Sequence, residues 1–400
     1  MKFVVAAYGT RGDIEPCAAV GRELLRRGHE VRMAIPPNVL GFVESAGLPA
    51  VAYGPDSQRQ MDSAMDFLGQ VQTPLTALPQ IIERVNKLWA DKNATLTSLT
   101  DGADLLVTHM TEQALAANVA EYHGIPLVAL HVFPARILPS GWLYSGASKG
   151  AEDAQRRALG LPEAAEPSTQ TVEGGLLEIQ AYDELCLPEP AAEWVVPDGR
   201  RPFVGSLTLG LPTDADDEVL SWIAAGSAPI YFGFGSTPIV YPDETVTVID
   251  AACAQLGERG LVCAGWNDFS HVPHFDHVKV VDAVNFAAIF PACRAVVHHG
   301  GSGTTAAGLR AGVPTLILWT QFDQPMFAAA MQQLKVGSGR EFMATTLDTL
   351  VADLRSILTP ECAARAREVA TQMTDPAKSV ASAVDLLEET ARVGLVGRSA

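Results

Sequence analysis

The 400-residue sequence contains no run of about 18 apolar residues, the length a bilayer-spanning helix needs. Its N-terminal apolar stretch, residues 3–7, is too short for the core of a signal peptide. A cytoplasmic protein is expected, with at most peripheral membrane contact. Basic residues are few, 28 against 46 acidic, and the formal net charge of −18 opposes non-specific nucleic-acid binding, which requires a cationic footprint. No C-x-x-C pair occurs among the six cysteines (Cys17, Cys186, Cys253, Cys263, Cys293, Cys362), and most lie in apolar runs, so buried reduced thiols are expected. His271, His274 and His277 recur every third residue, but Pro273 interrupts them and no carboxylate or cysteine cluster completes a metal site. Only 18% of residues are charged while 48% are hydrophobic, which excludes disorder and provides for a large core. A chain of 400 residues exceeds what one core organises, so two domains are expected.

Strand and helix patterns alternate along the chain. Residues 3–7 form a β-branched strand candidate, followed by a polar turn and a helix over 14–27 that stops at Gly28. Strands follow at 31–35, 51–53, 105–108 and 127–132, with helices at 38–46 and 112–122. The rhythm is lost from 134 to 202 and resumes with strands at 230–234, 261–264, 278–281, 295–297 and 315–318. No fixed short repeat is present, which argues against a solenoid. Alternation of this kind implies parallel sheets covered on both faces. The expected fold class is α/β, with two facing Rossmann-like doubly wound domains and an interdomain cleft. Residues 1–202 are expected as the first domain, 203–217 as a linker, 218–376 as the second domain, and 377–400 as a helix packing back towards the first.

In open parallel sheets ligands bind at the carboxyl ends of strands, so loops that directly follow strands carry the functional candidates. The most informative is Val296-Val297-His298-His299-Gly300-Gly301-Ser302-Gly303-Thr304-Thr305, which reads as strand, glycine turn and helix start. The first N–H groups of a helix lack internal partners and the helix dipole places partial positive charge there, which suits phosphate oxygens. Two readings remain open. Gly301-Ser302-Gly303-Thr304-Thr305-Ala306 also satisfies the dinucleotide fingerprint, with Asp323 lying 22 residues beyond Gly301 as a ribose-binding acid. An NAD(P)-dependent oxidoreductase is therefore an alternative.

Asp13 follows a glycine turn and precedes Pro16, so it is either an N-cap or a general base at a strand end. His298 ends a strand where its imidazole would donate to a diphosphate, while His299 points into the core. Asp323-Gln324-Pro325 closes the next strand with an acceptor-only and a mixed group, a pair suited to sugar hydroxyls, or else an ordinary capped helix start. Asp214-Ala215-Asp216 has the D-x-D pattern of a metal–diphosphate site, but it lies in the acidic linker and reads as a solvated face.

Taken together, Gly9-Thr10-Arg11-Gly12-Asp13-Ile14-Glu15-Pro16, Phe232-Gly233-Phe234-Gly235-Ser236, the His298 to Thr305 motif and Asp323-Gln324-Pro325 resemble the GT-B nucleotide-sugar glycosyltransferases of the actinobacterial natural-product type. These include enzymes acting on glycopeptide antibiotics and mycobacterial glycopeptidolipids. The resemblance spans nearly the whole chain. It implies a metal-independent, inverting transfer of a sugar from a UDP- or dTDP-sugar to an acceptor hydroxyl, with no cofactor and Asp13 as the base. It implies donor contacts from Thr10, Arg11, Ser236, Val281, His298, Gly300, Gly301, Ser302, Gly303, Thr304, Asp323 and Gln324. The irregular segments 57–79 and 134–173 would shape the acceptor pocket, with Met61, Met65, Phe133 and Trp142 among its apolar residues. A sugar-nucleotide epimerase of the same fold and a nucleotide-sugar-binding protein without turnover compete with the transferase. His109, at another strand end, is the next candidate base.

Overall fold

The computed structural model describes residues 1–70, 74–134, 141–163, 176–186, 199–320 and 323–398, with side chains described except at 64–70, 74–78, 141–148 and 397–398. The chain divides into two compact units, Met1–Ala181 with Trp194–Leu209 and Asp375–Ala400, and Tyr182–Glu193 with Gly210–Thr374. Residues 203–209 thus belong with the first unit and 210–217 with the second, and residues 182–193 also belong to the second.

The first unit contains strands β1 (Lys2–Ala6), β2 (Glu30–Ile35), β3 (Ala50–Ala52), β4 (Leu105–His109), β5 (Leu127–His131) and β6 (Leu177–Gln180). All neighbours are parallel, in the order β3-β2-β1-β4-β5-β6. Helices α1 (Arg11–Arg26), α2 (Leu40–Ser45), α3 (Ser57–Gln70), α4 (Pro74–Leu99), α5 (Gln113–His123) and α6 (Gly141–Leu159) connect them. On one face Val4, Ala6, Ala34 and Leu106 pack with Trp89 and Leu96 of α4 and Leu115 and Val119 of α5. The C-terminal helix, Pro376–Arg398, lies against α1, where Arg27 meets Asp385 at 2.6 Å and His29 Nε2 meets Glu388 at 2.8 Å. The strand order reverses between β1 and β4, and such a reversal opens a crevice at the carboxyl ends of the two strands. Asp13 and His109 follow from those two ends.

The second unit repeats the design with β7 (Ile230–Gly233), β8 (Gly260–Cys263), β9 (Val278–Val281), β10 (Ala295–His298), β11 (Thr315–Trp319) and β12 (Gly337–Glu341), all parallel, in the order β12-β11-β10-β7-β8-β9. Its helices are α7 (Asp216–Ala224), α8 (Pro242–Leu256), α9 (Phe286–Ile289), α10 (Ser302–Ala311), α11 (Gln324–Gln333), α12 (Leu347–Ile357) and α13 (Pro360–Ala370). Alternate strand residues bury on opposite faces. Phe232, Val262, Val297 and Leu316 pack with α8 and α12, while Tyr231, Leu261 and Val296 pack with α7 and α9. The reversal falls between β7 and β10, so the loops after Gly233 and after His298 are neighbours.

Three sequence expectations change. The segments 57–79 and 134–173, expected as irregular, are largely helical where described, as α3, α4 and α6. Two strands lie outside the expected set. In β6 the fully buried Glu178 interrupts the apolar pattern and is accommodated by Arg201 at 2.9 Å and Gln113 at 3.0 Å. In β12, Gly-Ser-Gly-Arg-Glu has no apolar residue, yet a side chain at Gly337 would collide with the Thr315 backbone and one at Gly339 with Ala328. Asp216 of the D-x-D pattern is not on a solvated face. It is buried, accepting from Thr213 N–H (2.8 Å), Thr213 Oγ1 (2.7 Å) and Asn285 N–H (2.8 Å), and so fixes the start of α7.

Candidate functional site

In the first unit, β1 delivers the chain to Gly9, whose φ of +142° brings its backbone against the Asp13 side chain, leaving no room for a Cβ. Helix α1 begins at Arg11, earlier than the sequence pattern indicates, with Thr10 rather than Asp13 as N-cap. Asp13 is the third residue of a capping box. Its Oδ2 accepts from Thr10 N–H at 2.6 Å and from Thr10 Oγ1 at 3.0 Å. Its Oδ1 has no such bond and faces His109 Nε2 at 3.6 Å. The carboxylate is therefore held by one oxygen and presents the other, with the side chain 26% exposed. Arg11 is engaged by Glu15 at 3.1 Å and stacks on the Phe42 ring at 4.5 Å.

In the second unit, β10 ends at the fully buried His298, whose Nδ1 accepts the Gly300 N–H at 3.0 Å. That bond leaves the proton on Nε2, a donor with no partner among the described residues. Burial, aided by the neighbouring His299, holds the ring far below the usual histidine range, so it is neutral at pH 7. Helix α10 follows with Gly301 as N-cap and no side-chain cap, leaving the first-turn amides at Ser302, Gly303 and Thr304 without the usual capping oxygen. A Cβ on Gly303 would meet no atom within 4 Å, so the helix start is open on that side. Gly300, at φ +97°, lies too close to Ile317 and Gln324 for a side chain, which brings the β10 turn to the start of α11.

His299 does not enter the core. Its ring stands between the Gly235 loop, which carries Ser236, and the Gly301 turn, where an added Cβ at either glycine would lie 2.6 Å from it. Burial lowers its pKa to about 4, opposed by a hydrogen bond to the Gly233 backbone. Val281 ends the edge strand β9 and its carbonyl accepts the Ala264 N–H at 2.8 Å. Gln324 directs its amide oxygen to Thr320, at 2.7 Å from the N–H and 3.0 Å from the hydroxyl. Asp323 precedes α11 without a side-chain cap bond. Met61 and Phe133 are half-buried, and the side chains of Met65 and Trp142 lie outside the described ones.

Among the described residues no three His, Cys, Asp or Glu side chains are grouped as metal ligands, and no helix is long and apolar enough to cross a membrane. All six cysteines are free thiols.

Residues 3–135 match the glycosyltransferase family 28 N-terminal domain, and residues 261–389 match the C-terminal domain of erythromycin biosynthesis protein CIII-like proteins. An uncharacterized glycosyltransferase of Mycobacterium tuberculosis (strain ATCC 25618 / H37Rv) is 57% identical over 414 residues, which cover 98% of this chain and 99% of that protein. The vancomycin aglycone glucosyltransferase of Amycolatopsis orientalis is 30% identical over 420 residues, 98% of each. The chain belongs to the glycosyltransferases. Its fold is that of the GT-B structures. The kitacinnamycin glycotransferase superposes with a TM-score of 0.74 at 18% identity, covering 97% of this chain and 98% of that one. The glycosyltransferase VinC, in complex with dTDP, does so with a TM-score of 0.65 at 19% identity, covering 98% and 99%.

As a GT-B glycosyltransferase the protein is an enzyme that draws on a nucleotide-sugar donor, and the oxidoreductase reading finds no support in these relationships. Some of the residues around the glycosyltransferase's candidate site were not legible in sequence. Lys92, buried in α4, bonds both oxygens of Glu112 (2.7 and 2.9 Å), lies 4.1 Å over the Tyr8 ring, and shares Glu112 with the Tyr53 hydroxyl at 2.6 Å. This ion pair stands directly behind the β1 and β4 loops, yet its members are scattered from residue 8 to 112 with no motif to join them. Asn267 ties the β7 and β8 loops, accepting from Ile239 N–H and donating to the Thr237 and Ala264 carbonyls.

Proposed function

We propose that this glycosyltransferase moves a sugar from a UDP- or dTDP-sugar to a hydroxyl of a small-molecule, peptide natural-product or glycolipid acceptor, with inversion and without a metal. The observation that carries the reading is the Nε2–H of His298, unpartnered among the described residues, beside the uncapped start of α10, at the strand reversal of the second unit. A neutral donor and a set of helix-start amides answer the charge of a diphosphate without a cation. In this account Ser236, His298, Gly300, Gly301, Ser302, Gly303 and Thr304 hold the diphosphate, the backbone near Val281 meets the base, and Asp323 and the Gln324 amide nitrogen meet the sugar. The relation to a vancomycin aglycone glucosyltransferase, and the dTDP held by VinC, support the donor and acceptor classes.

Asp13 takes the proton of the acceptor hydroxyl while its oxygen attacks the anomeric carbon and the bond to the diphosphate breaks. One displacement inverts the anomeric centre. His298 Nε2–H strengthens its bond as charge grows on the departing phosphate oxygen. The acceptor class rests also on Met61 and Phe133, half-buried apolar residues of the first unit. Localisation in the cytoplasm fits the use of nucleotide-sugars. Thermal shift tests the donor site: UDP or dTDP at many times its Kd should stabilise the fold by a few kcal/mol, and EDTA should leave this and turnover unchanged. Stabilisation by NAD or NADP alone would contradict the proposal.

A further inference from the structure

We propose that His109, through a neutral Nε2–H, is a positioning residue that aims the free oxygen of Asp13 at the acceptor hydroxyl. The inference rests on Asp13 being the base. His109 closes β4 beside β1, with no exposed surface, and its Nε2 is a buried atom without a hydrogen-bond partner among the described residues, 3.6 Å from Asp13 Oδ1. A buried polar atom without a bond is costly in a folded protein and is retained where it has another role.

The tautomer follows from the other ring nitrogen. Thr111 N–H can only donate, and it points to Nδ1 at 3.4 Å, while the Thr111 hydroxyl lies 2.9 Å from the same nitrogen and 3.3 Å from the Tyr8 carbonyl, to which it donates. With Nδ1 accepting from the Thr111 N–H, Nε2 carries the proton towards Asp13. Burial favours the neutral ring over the charged one, against the opposing pull of the Asp13 and Glu112 carboxylates. The two oxygens of Asp13 are thereby distinguished: Oδ2 is fixed by Thr10, and Oδ1, opposite His109, receives the proton. At 3.6 Å the His109 contact is longer than a hydrogen bond, a separation common before a catalytic site is filled. Glu112, in the turn that follows His109, is clamped by Lys92 and Tyr53, so the segment that carries His109 and Thr111 is anchored from behind.

The test compares His109→Leu, which removes the donor at similar size, with His109→Gln, which restores an N–H donor but cannot carry charge, and with Asp13→Asn. Nucleoside diphosphate release is followed from UDP-glucose and dTDP-glucose with 4-methylumbelliferone or water as acceptor. His109→Leu should lower kcat about 10- to 100-fold with donor KM within a few-fold, as expected for a misaimed group, and His109→Gln should recover most of that loss. A wild-type rate in His109→Leu, or equal losses in Leu and Gln variants, overturns the inference while leaving Asp13 as base. Full activity in Asp13→Asn instead removes the base itself. A readout independent of turnover is the two-bond ¹H–¹⁵N spectrum of the histidine rings, with His109 assigned by its loss in His109→Gln. A neutral Nε2–H ring at pH 7 agrees with the inference, and an Nδ1–H or protonated ring contradicts it.

Discussion

Asp13→Asn should slow sugar transfer by about 10²-fold or more while leaving the fold almost untouched. The substituted amide keeps one oxygen, and the capping box engages one oxygen, Oδ2, through Thr10 N–H and Thr10 Oγ1. Asparagine oriented in this way preserves the α1 cap. What is lost is negative charge in the first helical turn, worth about 0.3–1 kcal/mol at a partly exposed position, or a Tm decrease of a few degrees. The amide NH2 would then face His109 Nε2–H, two donors opposed, which adds a small cost. At the reacting centre the consequence is larger. An amide cannot take the acceptor proton, and loss of a general base typically lowers rate by about 10² to 10⁴. Steady-state kinetics at saturating donor, with UDP or dTDP affinity measured by calorimetry, separate the two effects. Affinity within a few-fold of wild type and kcat reduced by about 10²-fold or more are expected. A near-normal kcat would mean that Asp13 serves α1 alone and would refute the assignment.

His298→Ala should reduce kcat/KM by about 10²-fold, the usual consequence of removing a donor to developing charge, whereas an equal loss for a well-folded His299→Ala would blur their separate roles. His299 has a folded pKa near 4, below its unfolded value near 6.5, so the unfolded chain binds a proton first as pH falls. Stability from this group is fully present above about pH 6.5 and declines by on the order of 3 kcal/mol by pH 4. Chemical denaturation across that range should show a shallower acid decline in His299→Gln, and identical slopes would exclude the burial argument. Lys92→Met leaves Glu112 buried without its cation and should cost about 3–5 kcal/mol, with recovery in the Lys92→Met, Glu112→Gln double variant measured by denaturant midpoint.

The apolar strands were legible because β-branched runs such as Phe3-Val4-Val5 and Ala295-Val296-Val297 have few other uses, and the phosphate loop because glycine and helix-start chemistry are local. The strands missed were those whose residues are set by neighbours: β6 accommodates Glu178 through Arg201, and β12 is dictated by the close approach of Thr315 and Ala328. The helices in 57–79 and 134–173 were obscured by their proline and glycine content. At the site, Asp13 and His298 could be picked out as strand-end residues. Their second partners could not, because Asp13 meets His109 only through the pairing of β1 with β4, and His299 lies between glycines 66 residues apart in sequence. The N-cap reading of Asp13, one of two left open, gives way to Thr10 for a related reason. Gly9-Thr10 and Gly12-Asp13 are both glycine-preceded polar residues, and only the fold selects Thr10.

The most direct test of sugar transfer is mass spectrometry of the products formed when the purified protein is incubated with a panel of UDP- and dTDP-sugars and hydroxyl-bearing peptide, polyketide and glycolipid acceptors. An inverting transferase yields an acceptor mass increased by one sugar residue, stoichiometric release of nucleoside diphosphate, and an anomeric centre opposite to the donor's by NMR. Retention at that centre, or an isomerised donor with no glycoside formed, would contradict inverting transfer.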